Sequence, residues 1–498
     1  MVAASVTLSS ISFLSQATIL PKKVQYSLFS ECLSLRNFSE TSRVESRSFL
    51  APQSSQPTKR LVILCKCLKS PTNLHIAAET VAFFRGIGLD EKEIESLLDR
   101  NPILKVTSLD KLRARILSLQ SVGIKGIAFC RLFTKSPNVL IAEEIDPLIG
   151  FMRKDLGGKI EPMQVERLLT STETKFLVGF DQKVRLLLQH GISEEKLFHV
   201  LNNANLTKAL CIKSVEEMER TLDFLDPFGG TYIIVRCPKI LNYDLDTQLI
   251  PKIRLFNQLS GGNVDATAAV LRKLPAVLTY SVKHVGNHVE FLRSFVGLSD
   301  REIFRIILVF PAVISASRER KLRPRIEFLK HCGLDSEDIF KFLTKAPLFL
   351  ALSFDNLAHK LGFLVKIGYE YRTKELAAAM GAVTRTSCEN MQKVVGVFLS
   401  YGLSFADIFT MSKKHPQILQ YNHNSLEEKM EYLIEEMGRE VGELLAFPAF
   451  LGYKLDGRIK HRYEVKRKTL GEGMSINKLL SVSAERFSTR MTKNPVYN

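Results

Sequence analysis

In the stretch LRPRIEFLKHCG, ending at Gly333, the apolar residues Leu322, Ile326 and Leu329 fall at i, i+4 and i+7, the spacing of one helix face. Pro324 suits the first turn of that helix, where a missing N–H costs nothing. Gly333 predicts its end, because glycine alone enters the left-handed conformation without a Cβ clash. Leu334 follows as the hydrophobic contact that accompanies such a cap. Asp335, with Asp338 three residues on, has the spacing of a capping box for a second helix. That helix carries Ile339, Phe342 and Leu343 on its apolar face and stops before Pro347. The apolar triplet after the proline is too short for another α-helix and predicts a single tight helical turn. One unit therefore reads helix, Gly, helix, Pro-apolar triplet.

The same pattern recurs along the chain. Glycines at 88, 123, 157, 191, 229, 261, 297, 333, 368, 402 and 438 are separated by steps of 32 to 38 residues. A second lattice is Pro followed by two positions of Val, Ile, Phe or Leu: PNVL at Pro137, PKIL at Pro238, PAVL at Pro275, PAVI at Pro311, PLFL at Pro347, PQIL at Pro416 and PAFL at Pro448, with PILK at Pro102 as a near match. In six units the proline lies 14 residues after its glycine. Asp90/Glu93, Ser299/Glu302 and Ser404/Asp407 repeat the capping-box spacing two residues after their own glycines. The proline is lost near 171, 205 and 382, so those repeats are degenerate. A single unit cannot bury its own apolar face, so the units are expected to stack as an all-α solenoid of about ten or eleven repeats.

Helix–helix–Pro-apolar repeats of this length resemble the mTERF family, the organelle transcription termination factors. Residues 447–465, FPAFLGYKLDGRIKHRYEV, look like that family's closing signature, with His461 where members commonly have Pro. The resemblance covers about 75–465. It implies a right-handed-type superhelix of mTERF-like repeats without catalytic activity or cofactor, expected as a monomer. Its implied partner is double-stranded DNA of an organelle genome, with termination of transcription as the outcome. Some plant relatives look instead like RNA-binding factors for intron splicing or transcript maturation. A third reading is a non-catalytic scaffold on the plastid RNA polymerase or nucleoid.

Composition changes the picture at the two ends. Residues 1–60 hold fourteen Ser and only three acids, none before Glu31, and lack a helical apolar period. That composition predicts an organelle transit peptide. The uncharged, hydroxylated start MVAASVTLSS favours the chloroplast (stroma or nucleoid), with the mitochondrion second. The expected division is 1–60 transit peptide, 75–455 repeat solenoid and 456–498 basic tail. Net charge is +17, and residues 454–498 carry eleven basic against four acidic residues. A polyanionic partner follows from that surplus. No run of 18 apolar residues exists, so no membrane partner is expected. The eight cysteines include no CxxC, which points to neither a disulfide framework nor a zinc ribbon.

Basic residues mark three sets of candidate nucleic-acid contacts. Two residues before the repeat proline stand Arg100, Lys135, Arg236, Lys273, Lys345 and Lys414. A cation there can complement the helix C-terminus or track a phosphate backbone, one per repeat, and both can hold together. The second set opens the first helix: Lys111/Arg113/Arg115 and Lys321/Arg323/Arg325, with Lys252 and Lys360 in related positions. Cations at a helix N-terminus oppose its dipole, so these read as nucleic-acid contacts or as solvated surface. The third set comprises Lys454, Arg458, Lys460, Arg462, Lys466, Arg467 and Lys468, interleaved with Tyr453 and Tyr463. Enzymatic motifs are weak. His284 and His288 have ligand spacing without the HExxH acid, Gly86-Ile87-Gly88 lacks its third glycine, and no GxxxxGK[ST] loop occurs, so no catalytic or metal residue is nominated.

Overall fold

The computed structural model describes residues 71–470, 475–483 and 485–487, and the transit-peptide assignment lies outside them. Among the described residues the secondary structure is entirely helical. The chain divides into two compact bodies, one ending at Val285 and the other beginning at Gly286.

Within the first body six units succeed one another, from Pro71–Ile87, Glu91–Arg100 and Pro102–Lys105 to Ile250–Leu259, Val264–Lys273 and Pro275–Thr279. The second body holds five more, followed by His461–Leu470 and Ile476–Leu480. The eleven lattice glycines all have positive φ, as at Gly333 (+78°), which closes Arg323–His331. Nothing lies within 4 Å of a Cβ built at Gly333, so backbone conformation rather than space requires glycine there.

Capping follows the sequence with one exception. Asp90/Glu93, Ser299/Glu302 and Ser404/Asp407 form capping boxes. Asp335 accepts from the Asp338 N–H at 2.8 Å, but the Asp338 carboxylate turns instead to Lys374 at 2.6 Å in the next repeat. The proline triplets are 3-10 turns, such as Pro347–Leu350, and the residue before each proline is pushed out of the helical region (Ala346, φ −125°, ψ 55°). Leu322, Ile326 and Leu329 are buried, as are Ile339, Phe342, Leu343, Phe349 and Leu350, so each unit closes its core against its own triplet and the next repeat. Each such side chain contributes about 1.5–3 kcal/mol. Several first helices include a π-type turn, for instance Phe291–Val296 and Tyr432–Glu436, each widening the helix by one residue.

Residues expected as a basic tail are folded for much of their length. Leu455–Lys460 runs into His461–Leu470, and Ile476–Leu480 packs against it with Ile476, Leu479 and Leu480 buried.

Candidate nucleic-acid interface

The three basic sets have different fates. In the first-helix set the final cation of each run is buried. Arg115 donates to the Ala142 carbonyl (2.8 Å) and pairs with Asp146 (3.2 Å). Arg325 reaches the carbonyls of Phe349 (3.2 Å) and Leu352 (2.5 Å). Lys252 donates to Leu278 O at 2.7 Å, and Lys360 donates to the carbonyls of Val383 and Thr386. The carbonyl acceptors lie in or just after the tight turn that closes the same repeat, most of them at its C-terminal end, where carbonyls lack an intrahelical partner, while Val383 opens its turn and also accepts the Thr386 N–H. These cations thus turn away from their own helix N-terminus and cap a different helix. This corrects the expectation for Arg115 and Arg325, which are 7% and 3% exposed and spent on carbonyls. Burial pushes both guanidinium groups, and the Lys252 and Lys360 ammonium groups, below their ordinary pKa.

The same device recurs at three further lysines and at His288. Lys183 donates to Leu210 O (2.6 Å), Lys213 to Tyr243 O (2.5 Å) and Lys429 to Leu451 O (2.8 Å), while the His288 ring meets Ala316 O (2.9 Å). A signal was present. Arg115, Lys183, Arg325 and Lys360 stand eight residues before their lattice glycines, whereas Lys252, His288 and Lys429 stand nine before theirs. For His288 and Lys429 the extra residue is the one added by the π-type turn between the capping residue and the glycine.

At the closing signature, Arg458 and Arg462 converge on one helix end. Arg458 donates to Leu480 O (2.6 Å) and Val482 O (3.2 Å), with its guanidinium over the Tyr453 ring. Arg462, only 4% exposed, donates to Leu479, Leu480 and Val482 carbonyls and stacks on Phe487. The closing motif therefore holds the segment around Leu479–Val482 down. Arg462 is corrected on the same ground as Arg115. Lys460 is half-buried and paired with Asp456 at 2.8 Å.

What remains at the surface is the edge before the prolines, together with Lys111, Arg113, Lys321, Lys454, Arg467 and Lys468. Arg113 pairs weakly with Asp110 (3.4 Å), and Arg323 is held by Glu319 (2.7 Å) over the Phe295 ring. Arg100 donates to Thr134 O (3.0 Å), Arg236 to Arg272 O (2.7 Å) and Lys414 to Leu445 O (2.6 Å), each reaching the second helix of the following repeat. These bonds end on a helix of the next repeat rather than on the cation's own, and all three side chains remain exposed. Lys135, Lys273 and Lys345 are exposed as well. The His284/His288 pair is drawn apart: His284 stacks on Tyr280 while His288 serves as a cap. Among the described residues no group of three or more His, Cys, Asp or Glu is arranged to hold a metal ion.

An all-helical repeat array in which eight units tie a buried Lys, Arg or His to their own closing turn, with a second cation row left outside, defines a helical-repeat protein. The mTERF family model matches residues 81–332 and 323–488, and the chain belongs to that family. It is 61% identical over 429 residues to "Transcription termination factor MTERF8, chloroplastic" of Arabidopsis thaliana, with 86% of each chain covered. "Transcription termination factor MTERF15, mitochondrial" of the same plant is 27% identical over 45% of this chain and 52% of its own length. "Transcription termination factor MTERF4, chloroplastic" of Oryza sativa subsp. japonica is 33% identical over about a fifth of each chain (20% and 19%).

Proposed function

We propose that this protein is a non-catalytic, nucleic-acid-binding regulator of plastid gene expression that terminates transcription by binding double-stranded DNA. The observation that carries this reading is the cation row that survives at the surface once the buried caps are subtracted. Arg100, Lys135, Arg236, Lys273, Lys345 and Lys414 recur once per unit in six units, at the same position of the second helix. Repetition at that interval suits a polymer with evenly spaced charges, because each contact releases a condensed counterion. Termination follows as a steric effect, since a firmly bound repeat array obstructs an advancing polymerase. The plastid assignment rests on the Ser-rich, acid-poor opening and on the 61% identical relative named as chloroplastic.

Duplex binding titrated against salt tests this reading. Five or six contacts give a slope of log K against log salt near about −5, and Lys135→Gln with Lys345→Gln should make it shallower by about two. All duplex sequences should weaken alike, because phosphate contacts position without specifying. An unchanged slope together with loss of polymerase association would move the function to the scaffold reading. A fluorescent fusion of residues 1–60 should enter chloroplasts, and exclusive mitochondrial labelling would overturn the organelle.

A further inference from the structure

Four cavities in the structure sit at the three places where the repeat proline is missing. One of about 700 Å³ and one of about 510 Å³ flank Thr174–Leu177, one of about 210 Å³ adjoins Thr207, and one of about 470 Å³ adjoins Val383–Arg385. Two of them also border a neighbouring proline turn, at Pro137 and Pro416.

Charge separates the cavities. The one beside Val178 is walled by Glu143, Glu144, Asp155 and Asp181 against Lys154 and Arg185, of which Arg185 is paired with Asp155 at 3.2 Å, so acids outnumber bases there. Those at Thr207 and Thr170–Lys175 are lined by no aromatic ring, and Ser171 and Thr172 each meet Thr207 at 2.7 Å. The cavity at Val383–Arg385 is different. Its lining includes an apolar group of Phe342, Ala378, Gly381 and Ala382, taken here as its floor. A Cβ on Gly381 would lie 2.8 Å from the Phe342 ring, so glycine there lets the ring lie along the floor. Four cations surround that floor. Lys374 is engaged by Asp338 and Lys341 by Glu337, both at 2.6 Å. Lys345 and Arg385 have no carboxylate partner among the described residues. Gln417 and Gln420 add side-chain amides at the far wall.

We propose that this cavity binds one nucleoside phosphate, with the base on the Phe342/Gly381 floor, its edge against Gln417 and Gln420, and its phosphate between Lys345 and Arg385. An apolar floor for a ring, amides for a base edge and two free cations for a phosphate match the three parts of that ligand. The volume lies within the range of small-ligand sites. A free nucleotide and an unpaired residue of a bound strand share this chemistry. The inference rests on the nucleic-acid reading and adds the site at which a single nucleotide is held.

The test is titration of the full chain with AMP, GMP, CMP and UMP, and with a ten-residue single-stranded oligonucleotide, beside a duplex control. Ala378→Trp fills the cavity from an exposed position, and Lys345→Gln with Arg385→Gln removes the cations. Saturable binding of a mononucleotide that weakens at least tenfold in both variants supports a free-nucleotide site. Binding of the oligonucleotide alone, with the same losses, assigns the ligand to a strand. Wild-type affinities retained in Ala378→Trp and in the double variant would overturn the proposal. So would salt-dependent duplex binding without any single-nucleotide or single-strand binding. Absence of duplex and single-strand binding in the wild type would instead strike the underlying reading.

Discussion

Two basic runs in one repeat look alike in the sequence and end in opposite places. Lys321-Leu-Arg-Pro-Arg325 opens a first helix, and Lys341 to Lys345 closes the second helix of the same unit. Arg325 ends inside, bonded to Phe349 and Leu352, whereas Lys345 ends outside beside an open cavity. The difference comes from what each side chain can reach. Arg325 faces carbonyls that the closing turn of its own repeat cannot satisfy, so leaving water is compensated by charge-assisted hydrogen bonds. Lys345 has no such acceptor and stays solvated. Charge along a repeat protein is therefore a mixture of scaffold and interface.

Removing donors on each side puts that difference to its hardest test. Arg325→Met strands two carbonyls and should cost about 3 kcal/mol in urea denaturation. Lys345→Gln should leave the denaturation midpoint in place while weakening nucleic-acid binding. Equal loss of stability in both variants would erase the distinction between inside and outside. A smaller effect is expected at the closing signature. Arg458→Met with Arg462→Met should release Ile476–Leu480, seen as faster amide exchange over 475–482, at a local cost of about 2 kcal/mol. Intact protection there, with a salt slope made shallower by about two, would return both arginines to the interface.

Much of the fold was legible in advance because it depends on short-range rules. Gly333, Pro347 and the Asp335 cap act within a few residues of themselves, and each behaves as its local chemistry requires. The partners of Arg115 and Arg325 lie 24 to 31 residues away, and only the third dimension brings them together. The dipole argument was sound for an isolated helix but had the wrong helix in view. Phe328, Phe349 and Phe398 are buried, yet Phe176 and Phe405 are 43% and 41% exposed. Phe176 lies in a degenerate turn. The lost proline near 382 was visible, but the cavity it leaves depends on the packing of Phe342 against Gly381, which no spacing encodes.

The finest distinction is between lysine and arginine in the buried row, and it is read through pH. Lys252 and Arg325 do the same work in neighbouring bodies, but only lysine can lose its proton in an accessible range. Burial holds the Lys252 ammonium below its ordinary pKa, with Nζ 3.8 Å from the centre of the Tyr243 ring. The unfolded chain then binds the proton more tightly than the folded one. Between the lowered folded pKa and the ordinary lysine value of about 10.4, the unfolded state carries the excess proton, so stability rises with pH. Raised thiol and phenol pKa values, such as those of Cys211 and Tyr243, act in the opposite direction and would mask the trend in the wild type alone. Lys252→Arg keeps a cation and donors at the site without titrating, and those opposing groups are common to both chains. The stability of the wild type minus that of Lys252→Arg should therefore climb from pH 7 through pH 10, measured from urea midpoints at each pH. A difference that stays flat would mean that the ammonium is as well solvated in the fold as in the unfolded chain, and the buried row would lose its lysines.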